Sequence, residues 1–478
     1  MLVFMAVCQS AGRMLPPALR YRLSLVARGL TPLLAGADQR RSAQRVALIA
    51  FLIRVVSAAI AFLSQIVLAR FVGEFEYGIF IFVWVLVVLF GNLSCLGFHA
   101  TVIRFLPEYH TTAALANIRG LTTTARVFAM ISATMLAAAG MTGLWAFGSA
   151  IESYYVIPLY IGLFTLPMIA LGDVLDGTAR AHSWPVAAMS PTYLVRPMLI
   201  LGFMIIAVRA GLPRDATTAM GAALAATYVT TFGQFLAMAW RLHRHYTRGP
   251  MKIELGRWLR VSVPIFLVDG FGFLLTNSDV VIVGLYLKPD DVAVYFAAAK
   301  TMALVHFVMF AVKAAAGPRF AAAMAAGDGR QLAEIAVESA RWCFWPSLVI
   351  GGCVLAAGNM LLSLFGPAFT SGAPLMAILL TGILAKAFVG PAETLLTMAG
   401  RQKLCAVLYA AALGANIALN LTLIPAFGLT GAAAATAGAM FVEAAILHFA
   451  VRRIFGFSLL AVAAAAGMNN NENEAIEP

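Results

Sequence analysis

From residue 46 onward the chain alternates long apolar stretches with short polar interruptions. A helix needs ~20 mostly apolar residues to cross a ~30 Å hydrocarbon core. On that criterion twelve spans are predicted: 46–69, 77–99, 124–147, 153–172, 186–208, 217–240, 260–285, 292–316, 341–364, 373–397, 403–425 and 430–451. The stretch 455–467 is apolar but too short to cross, and "MNNNENEAIEP" after it reads as a disordered, weakly acidic tail. The pattern therefore predicts an all-α polytopic membrane protein.

Composition strengthens this reading. The 478 residues are 62% hydrophobic and 11% charged, against about 25% charged in a soluble domain. A water-soluble protein of this size could not cover itself with so few polar groups.

Charge then sets the orientation. The basic residues before the first span, in the connection between spans six and seven, in the other even-to-odd connections and after the last span total 24. The opposite side holds only four, Arg70, Arg209, Arg214 and Lys288. Such asymmetry marks the cytoplasmic side and predicts both termini there. The net charge of +12 reports this bias rather than a nucleic-acid partner. "MLVFMAVCQS" lacks the basic n-region of a signal peptide, and residues 15–34 mix leucines with Arg20, Arg22 and Arg28, which suggests either a helix on the inner membrane surface or a segment added by an upstream start codon.

Several chemistries are not indicated. Cys8, Cys95, Cys343, Cys353 and Cys405 show no CxxC or CxxH spacing and read as small buried hydrophobes, so no metal site is expected. There is no GxxxxGK[ST], no HExxH and no long loop able to hold a nucleotide, and neither a cofactor nor a catalytic residue is expected.

The chain also repeats itself. "FVGEFEYGIF" joins spans one and two, and "YLKPDDVAVYF" joins spans seven and eight, aligning Tyr77 with Tyr295, Glu74 with Asp290 and Arg70 with Lys288. "GDVLDGTAR" after span four matches "AETLLTMAGR" after span ten. The expected organisation is two parallel six-helix repeats: a basic N-terminal segment (1–45), a first lobe (46–243), a basic cytoplasmic linker (244–259), a second lobe (260–453) and a tail (454–478). The charged bursts are the tight outer turns of helical hairpins, with acids near the next helix N-terminus, where the dipole favours them.

Within the spans stand Arg54, Arg196, Lys300, Lys313 and Lys386. Each costs about 3 kcal/mol on insertion scales if it faces lipid near the midplane. Arg196 and Lys386 lie mid-span, Lys300 lies roughly 13 Å from the outer end of its helix, and Lys313 is near enough to the inner end to snorkel. Arg54, Ala58, Ala61 and Gln65, with Ser57 beside them, form one small-and-polar face, either a helix–helix seam or the wall of a water-filled cavity. Asp269, Asn277 and Asp279 in span seven either balance the intramembrane cations or form a proton or sodium site. Arg196-Pro197 and Pro391 near Lys386 suggest kinks bordering an internal path.

"LARFVGEFEYGIF", "SDVVIVGLYLKPDDVAVYFAAAK" and "NLTLIPAFGLTGAAAATAG", in that order, resemble polysaccharide-type flippases of the multidrug/oligosaccharidyl-lipid/polysaccharide exporter superfamily. The likeness spans about residues 44 to 455, with the family's acidic-turn pattern on Asp279, Gly284, Asp290 and Tyr295. Ala293 stands where the family usually has Gly, and twelve spans replace the fourteen of some members.

The resemblance implies a V-shaped, two-lobe transporter, not an enzyme, in the bacterial inner membrane. Its substrate would be an undecaprenyl-pyrophosphate-type lipid-linked oligosaccharide for exopolysaccharide, O-antigen or lipopolysaccharide synthesis. Its partners would be membrane lipids and the polysaccharide polymerase or export machinery, and the protein would be a monomer. Arg54 and Lys300 match by span the relatives' cavity cations and would bind the pyrophosphate, with Arg196 and Lys386 in support. Counting these four against Asp269 and Asp279 predicts a net positive cavity. The alternatives are a proton- or sodium-driven multidrug antiporter of the same fold, turning on Asp269 or Asp279, and a membrane polysaccharide polymerase.

Overall fold

A computed structural model describes residues 39–247 and 249–462, with side chains from residue 53 onward except Val268. The interfacial helix expected at 15–34 and most of the acidic tail lie outside the described residues. Every regular element among those described is helical, and eleven helices are long and apolar enough to cross a membrane.

In chain order the helices are α1 (Gln39–Val72), α2 (Glu74–Ser94), α3 (Phe98–Thr111), α4 (Leu115–Phe147), α5 (Ser153–Ala181), α6 (Pro185–Arg209), α7 (Ala216–His245), α8 (Leu255–Tyr286), α9 (Pro289–Ala325), α10 (Gly329–Ala356), the short α11 (Gly358–Ser363), α12 (Pro367–Met398) and α13 (Gln402–Phe455), all but α3 and α11 being crossing helices. The last holds two predicted spans. At Gly428 the backbone leaves helical geometry, with φ 57° and ψ −133°. A Cβ on Gly431 would lie 2.0 Å from the Leu423 carbonyl oxygen, whereas eight residues of straight helix would hold these positions about 12 Å apart. The chain therefore folds back on itself at Gly428, and α13 is a hairpin of two crossings.

Two expected spans are broken; 341–364 is split at Ala357, where α10 ends and α11 begins. The stretch 77–99 does not run as one helix: α2 stops at Ser94, a turn follows, and α3 sets off from Gly97 at φ 78°. Leu96 also takes positive φ there, which an α-helix cannot continue through. The separate α3 buries Phe98, Val102, Phe105 and Tyr109 on one face and exposes Arg104, Glu108 and His110 on the other. Many large side chains of the crossings are exposed, among them Leu63, Met135, Ile206, Val349 and Val407. Water would not tolerate such a surface, and lipid does.

The first half of the chain (α1–α7) meets the second (α8–α13) mainly where α2 packs along the start of α9. At Gly78 the approach is so close that a Cβ would stand 1.8 Å from the Pro289 carbonyl oxygen. Tyr77 is fully buried beside Phe296 and Phe369, and Phe62 meets Phe365 edge-on. Arg70 donates through Nη2 to the Ser363 carbonyl at 2.7 Å and through Nε to that of Leu364, tying α1 to the end of α11. The hairpin turns thus close that side of the molecule.

On the opposite side the connection after α7 is docked, not loose. Arg119 donates to the Thr247 and Pro250 carbonyls, the Lys252 amide donates to the Ala116 carbonyl, and the Trp258 indole donates to the Tyr109 hydroxyl.

Candidate functional site

Breaks in three helices set the interior charges. In α6 the run Pro191–Val195 is a π turn leading directly into Arg196. Pro197 has no N–H for the carbonyl four residues back and would crowd it, and widening the helix relieves that conflict. In α9 a 3-10 turn at Ala303–Val305 separates Lys300 from His306. In α12 a break at Gly390–Pro391 separates Lys386 from Glu393.

The second half neutralises most of its charge by direct pairing. Lys386 Nζ lies 2.8 Å from Glu443 Oε1, an ion pair angled away from hydrogen-bond geometry. Lys313 Nζ lies 2.5 Å from Glu393 Oε1, and Tyr409 donates to the other Glu393 oxygen. Asp279 is buried; its Oδ2 accepts from the Tyr295 hydroxyl at 2.7 Å, and that hydroxyl lies 2.9 Å from Thr436 Oγ1. Lys300 differs. Its ammonium sits over the Phe296 ring at 5.0 Å; among the described residues no carboxylate lies within ion-pair distance, though Asp279 is near enough to feel its charge. Its side chain is exposed.

In the first half, aromatic rings hold the main cation. The Arg54 guanidinium lies 5.1 Å from the centre of Tyr193, on the π turn of α6, and 5.7 Å from that of Phe310 on α9. It therefore bridges the two halves through ring faces. Arg196 is 7% exposed; it donates through Nη2 to Thr192 Oγ1 at 3.2 Å, while its Nε has no partner. Asp173 is near enough to Arg196 to feel its charge. Asp176 pairs with Arg180 at 2.5 Å, and His99 Nε2 with Asp269 Oδ2 at 3.3 Å.

The small-and-polar face of α1 is used locally. Ser57 Oγ donates back to the Arg54 carbonyl, Gln65 Oε1 accepts from the Tyr77 hydroxyl, and Ala61 is half-buried.

A cavity of about 580 Å³ lies between the halves, where the linker end of α2 and the start of α3 face α8, α12 and α13. Among the candidates named from sequence, it brings together Asp269, Asn277 and Lys386. Arg54, Arg196, Lys300, Asp279, Ser57, Ala61 and Gln65 are not among its lining residues. His99, Glu393, Tyr409 and Glu443 are, and sequence reasoning had not placed them there. A carboxylate in the middle of a greasy crossing, as at Glu443, was the available signal for one of them.

The expected excess of positive charge is not what lines this cavity. Three carboxylates, Asp269, Glu393 and Glu443, face Lys386 and His99. The expectation counted acids in span seven alone, and two of these three belong to α12 and α13. Each of the three already has a cation or a histidine against it. Among the described residues, Arg54, Arg196 and Lys300 have no carboxylate within 4.0 Å.

Comparison with known proteins places this geometry. The family model "Polysaccharide biosynthesis protein" matches residues 44–324, and the MatE model matches residues 264–422. No curated protein matches the chain by sequence. Among solved structures, an inward-facing multidrug resistance MATE family transporter of the MOP superfamily superposes with a TM-score of 0.68 at 14% identity, covering 85% of this chain and 98% of its own. Lipid II flippase MurJ, in an inward closed conformation, gives 0.64 at 14% identity, covering 85% of this chain and 87% of its own. An outward-facing MATE family transporter gives 0.61 at 15% identity, with 89% and 97% covered. At such identities these likenesses establish the fold.

Proposed function

Because the chain belongs to the polysaccharide biosynthesis protein family of the multidrug/oligosaccharidyl-lipid/polysaccharide exporter superfamily, we propose that this membrane transporter flips a lipid-linked oligosaccharide of the undecaprenyl-pyrophosphate type. In this reading it works in a bacterial inner membrane with the linker side cytoplasmic, as the basic-residue bias suggests. One observation carries the reading. Arg54 and Lys300 lie against ring faces with no carboxylate within 4.0 Å among the described residues, Asp176 and Asp279 standing farther off.

A pyrophosphate leaving water needs fixed positive charge in place of its hydration shell. A guanidinium free of carboxylates offers a forked set of donors suited to phosphate oxygens. Arg196, with its unpartnered Nε, supplies further charge nearby on α6. Lys386 plays a different part: its charge is held by Glu443, so it shapes the cavity without adding net charge. An inside-negative potential also favours outward movement of an anion, by about 2.3 kcal/mol per charge per 100 mV.

Replacing Arg54 or Lys300 with Ala should abolish polysaccharide export while the protein stays in the membrane at normal abundance. Export retained in both variants removes the phosphate role.

A second reading has its own support. The acids lining the cavity, together with the MatE match over the second half, suit a cation-coupled drug antiporter. That reading expects efflux of a cationic dye that fails when Glu443 or Asp269 becomes the amide.

A further inference from the structure

A groove of about 340 Å³ runs between the start of α6 and the end of α7. Val186 and Val195 on one wall and Val229 on the other are exposed, so it opens towards the hydrocarbon of the membrane. None of its lining residues lines the polar cavity, so it is no branch of the candidate site. Pro191 has no N–H for the Ala187 carbonyl; the buried Gln234 side chain donates to that carbonyl instead, at 3.2 Å, and ties the two walls together. The hydroxyls serve their own helices: Ser190 Oγ donates to the Val186 carbonyl at 2.5 Å and Thr230 Oγ1 to that of Ala226 at 2.7 Å. The walls are otherwise aliphatic.

At its linker end the groove meets Arg241. The Arg241 guanidinium lies 5.3 Å from the centre of the Trp184 ring, and that of Arg244 lies 3.8 Å from the centre of Trp240. Tryptophan rings of this kind mark the level of the lipid headgroups. Among the described residues neither arginine has a carboxylate within 4.0 Å. From Ala181 to Ile253 the sequence holds one acid, Asp215, and it caps the opposite end of α7. The rim therefore attracts an anion and offers it nothing negative to compete with. From Arg241 to Val229 is about 18 Å of helix, close to half of a ~30 Å hydrocarbon core. The groove is one leaflet deep.

We infer that it binds an anionic phospholipid of the linker-side leaflet, with the phosphate on Arg241 and one acyl chain along Val186, Val195 and Val229. This is a bilayer lipid held as a ligand, distinct from whatever is transported. Pro191 and Val195 belong to the π turn that carries Tyr193 against Arg54, so the chain lies behind the seat of that guanidinium.

Native mass spectrometry of the full chain in detergent tests it, with phosphatidylglycerol and phosphatidylcholine of identical acyl chains as the two ligands. Arg241→Gln removes the cation and strands no carboxylate within ion-pair distance. Gly233→Leu fills the groove at a position where a Cβ meets nothing within 4 Å, so the fold tolerates it.

The expected result is phosphatidylglycerol held at least about fivefold more tightly than phosphatidylcholine, that preference lost in Arg241→Gln, and both lipids bound more weakly in Gly233→Leu. Equal affinity for the two lipids makes the groove an ordinary lipid furrow and overturns the inference. A preference untouched by Arg241→Gln, or binding untouched by Gly233→Leu, places the lipid elsewhere and overturns it as well. One-for-one displacement of phosphatidylglycerol by undecaprenyl pyrophosphate assigns the groove to the substrate, which overturns the inference and leaves the flippase reading standing.

Discussion

The two halves of the molecule treat buried charge differently. In the second half, Lys313 and Lys386 each have a glutamate at 2.5 and 2.8 Å, so the charges cancel before any ligand arrives. In the first half, Arg54 lies against Tyr193 and Phe310, and Arg196 keeps an unpartnered Nε. An ion pair lowers the cost of burying both members but leaves neither free to bind. A cation on a ring face is stabilised less and keeps its hydrogen-bond donors. In the proposed reading the contrast separates charges that hold the structure from charges offered to a substrate, and Lys300, over a ring face, falls with the second kind although it lies in the second half.

The sharpest way to break that contrast is to unpair a glutamate. Glu443→Gln strands Lys386, and the expected destabilisation is about 3–5 kcal/mol, read as thermal unfolding in detergent. The double change Lys386→Met with Glu443→Leu should recover most of that loss. Arg54→Met strands no carboxylate and should move the same unfolding curve by less than about 1 kcal/mol. If Arg54→Met destabilises as much as Glu443→Gln, the division between structural and available charge fails.

A smaller effect is expected from Arg54→Lys, which keeps the charge but loses the planar fork and most of the stacking on Tyr193. Transport should fall roughly 2–30-fold, matching ~0.5–2 kcal/mol for a cation–ring contact. Full activity would reduce Arg54 to a point charge.

The smallest effect concerns the docked linker. Glu254 is held by the Lys252 ammonium at 2.8 Å, with Arg257 at 3.3 Å and Asn117 adding to it, and its carboxyl is pulled down to about 2. A depressed carboxyl stabilises the folded state fully above its ordinary value near 4.5 and loses that contribution as pH falls towards 2. Protection of the linker amides, taken relative to their intrinsic exchange rate at each pH, should therefore hold down to about pH 4 and fall only below it. In Glu254→Gln this pH dependence should disappear.

Much of the fold was legible because apolar length alone marks a crossing. The predicted spans lie mostly in helix, though 77–99 and 341–364 are broken, and even the Gly428 turn falls in the gap drawn between 425 and 430. The separate helix α3 was not legible, since its amphipathic face continues the apolar run of α2 and only Gly97 interrupts it. The site was legible as a set of residues but not as an arrangement. Arg54 was named from its helix face, yet its partners Tyr193 and Phe310 are distant in sequence and come together only through the π turn of α6 and the break in α9. Glu393 and Glu443 went uncounted because each is a lone acid in an apolar run, and the lysines they neutralise sit on other helices or other turns.

Direct binding tests the central claim most plainly. Native mass spectrometry of the detergent-solubilised protein titrated with undecaprenyl pyrophosphate should show a saturable adduct. Its dissociation constant should rise at least about tenfold in Arg54→Gln and again in Lys300→Gln, while Lys386→Met with Glu443→Leu should leave it within about threefold of the starting protein. Undiminished binding in both single variants, or binding lost only when the Lys386–Glu443 pair is removed, would contradict the account.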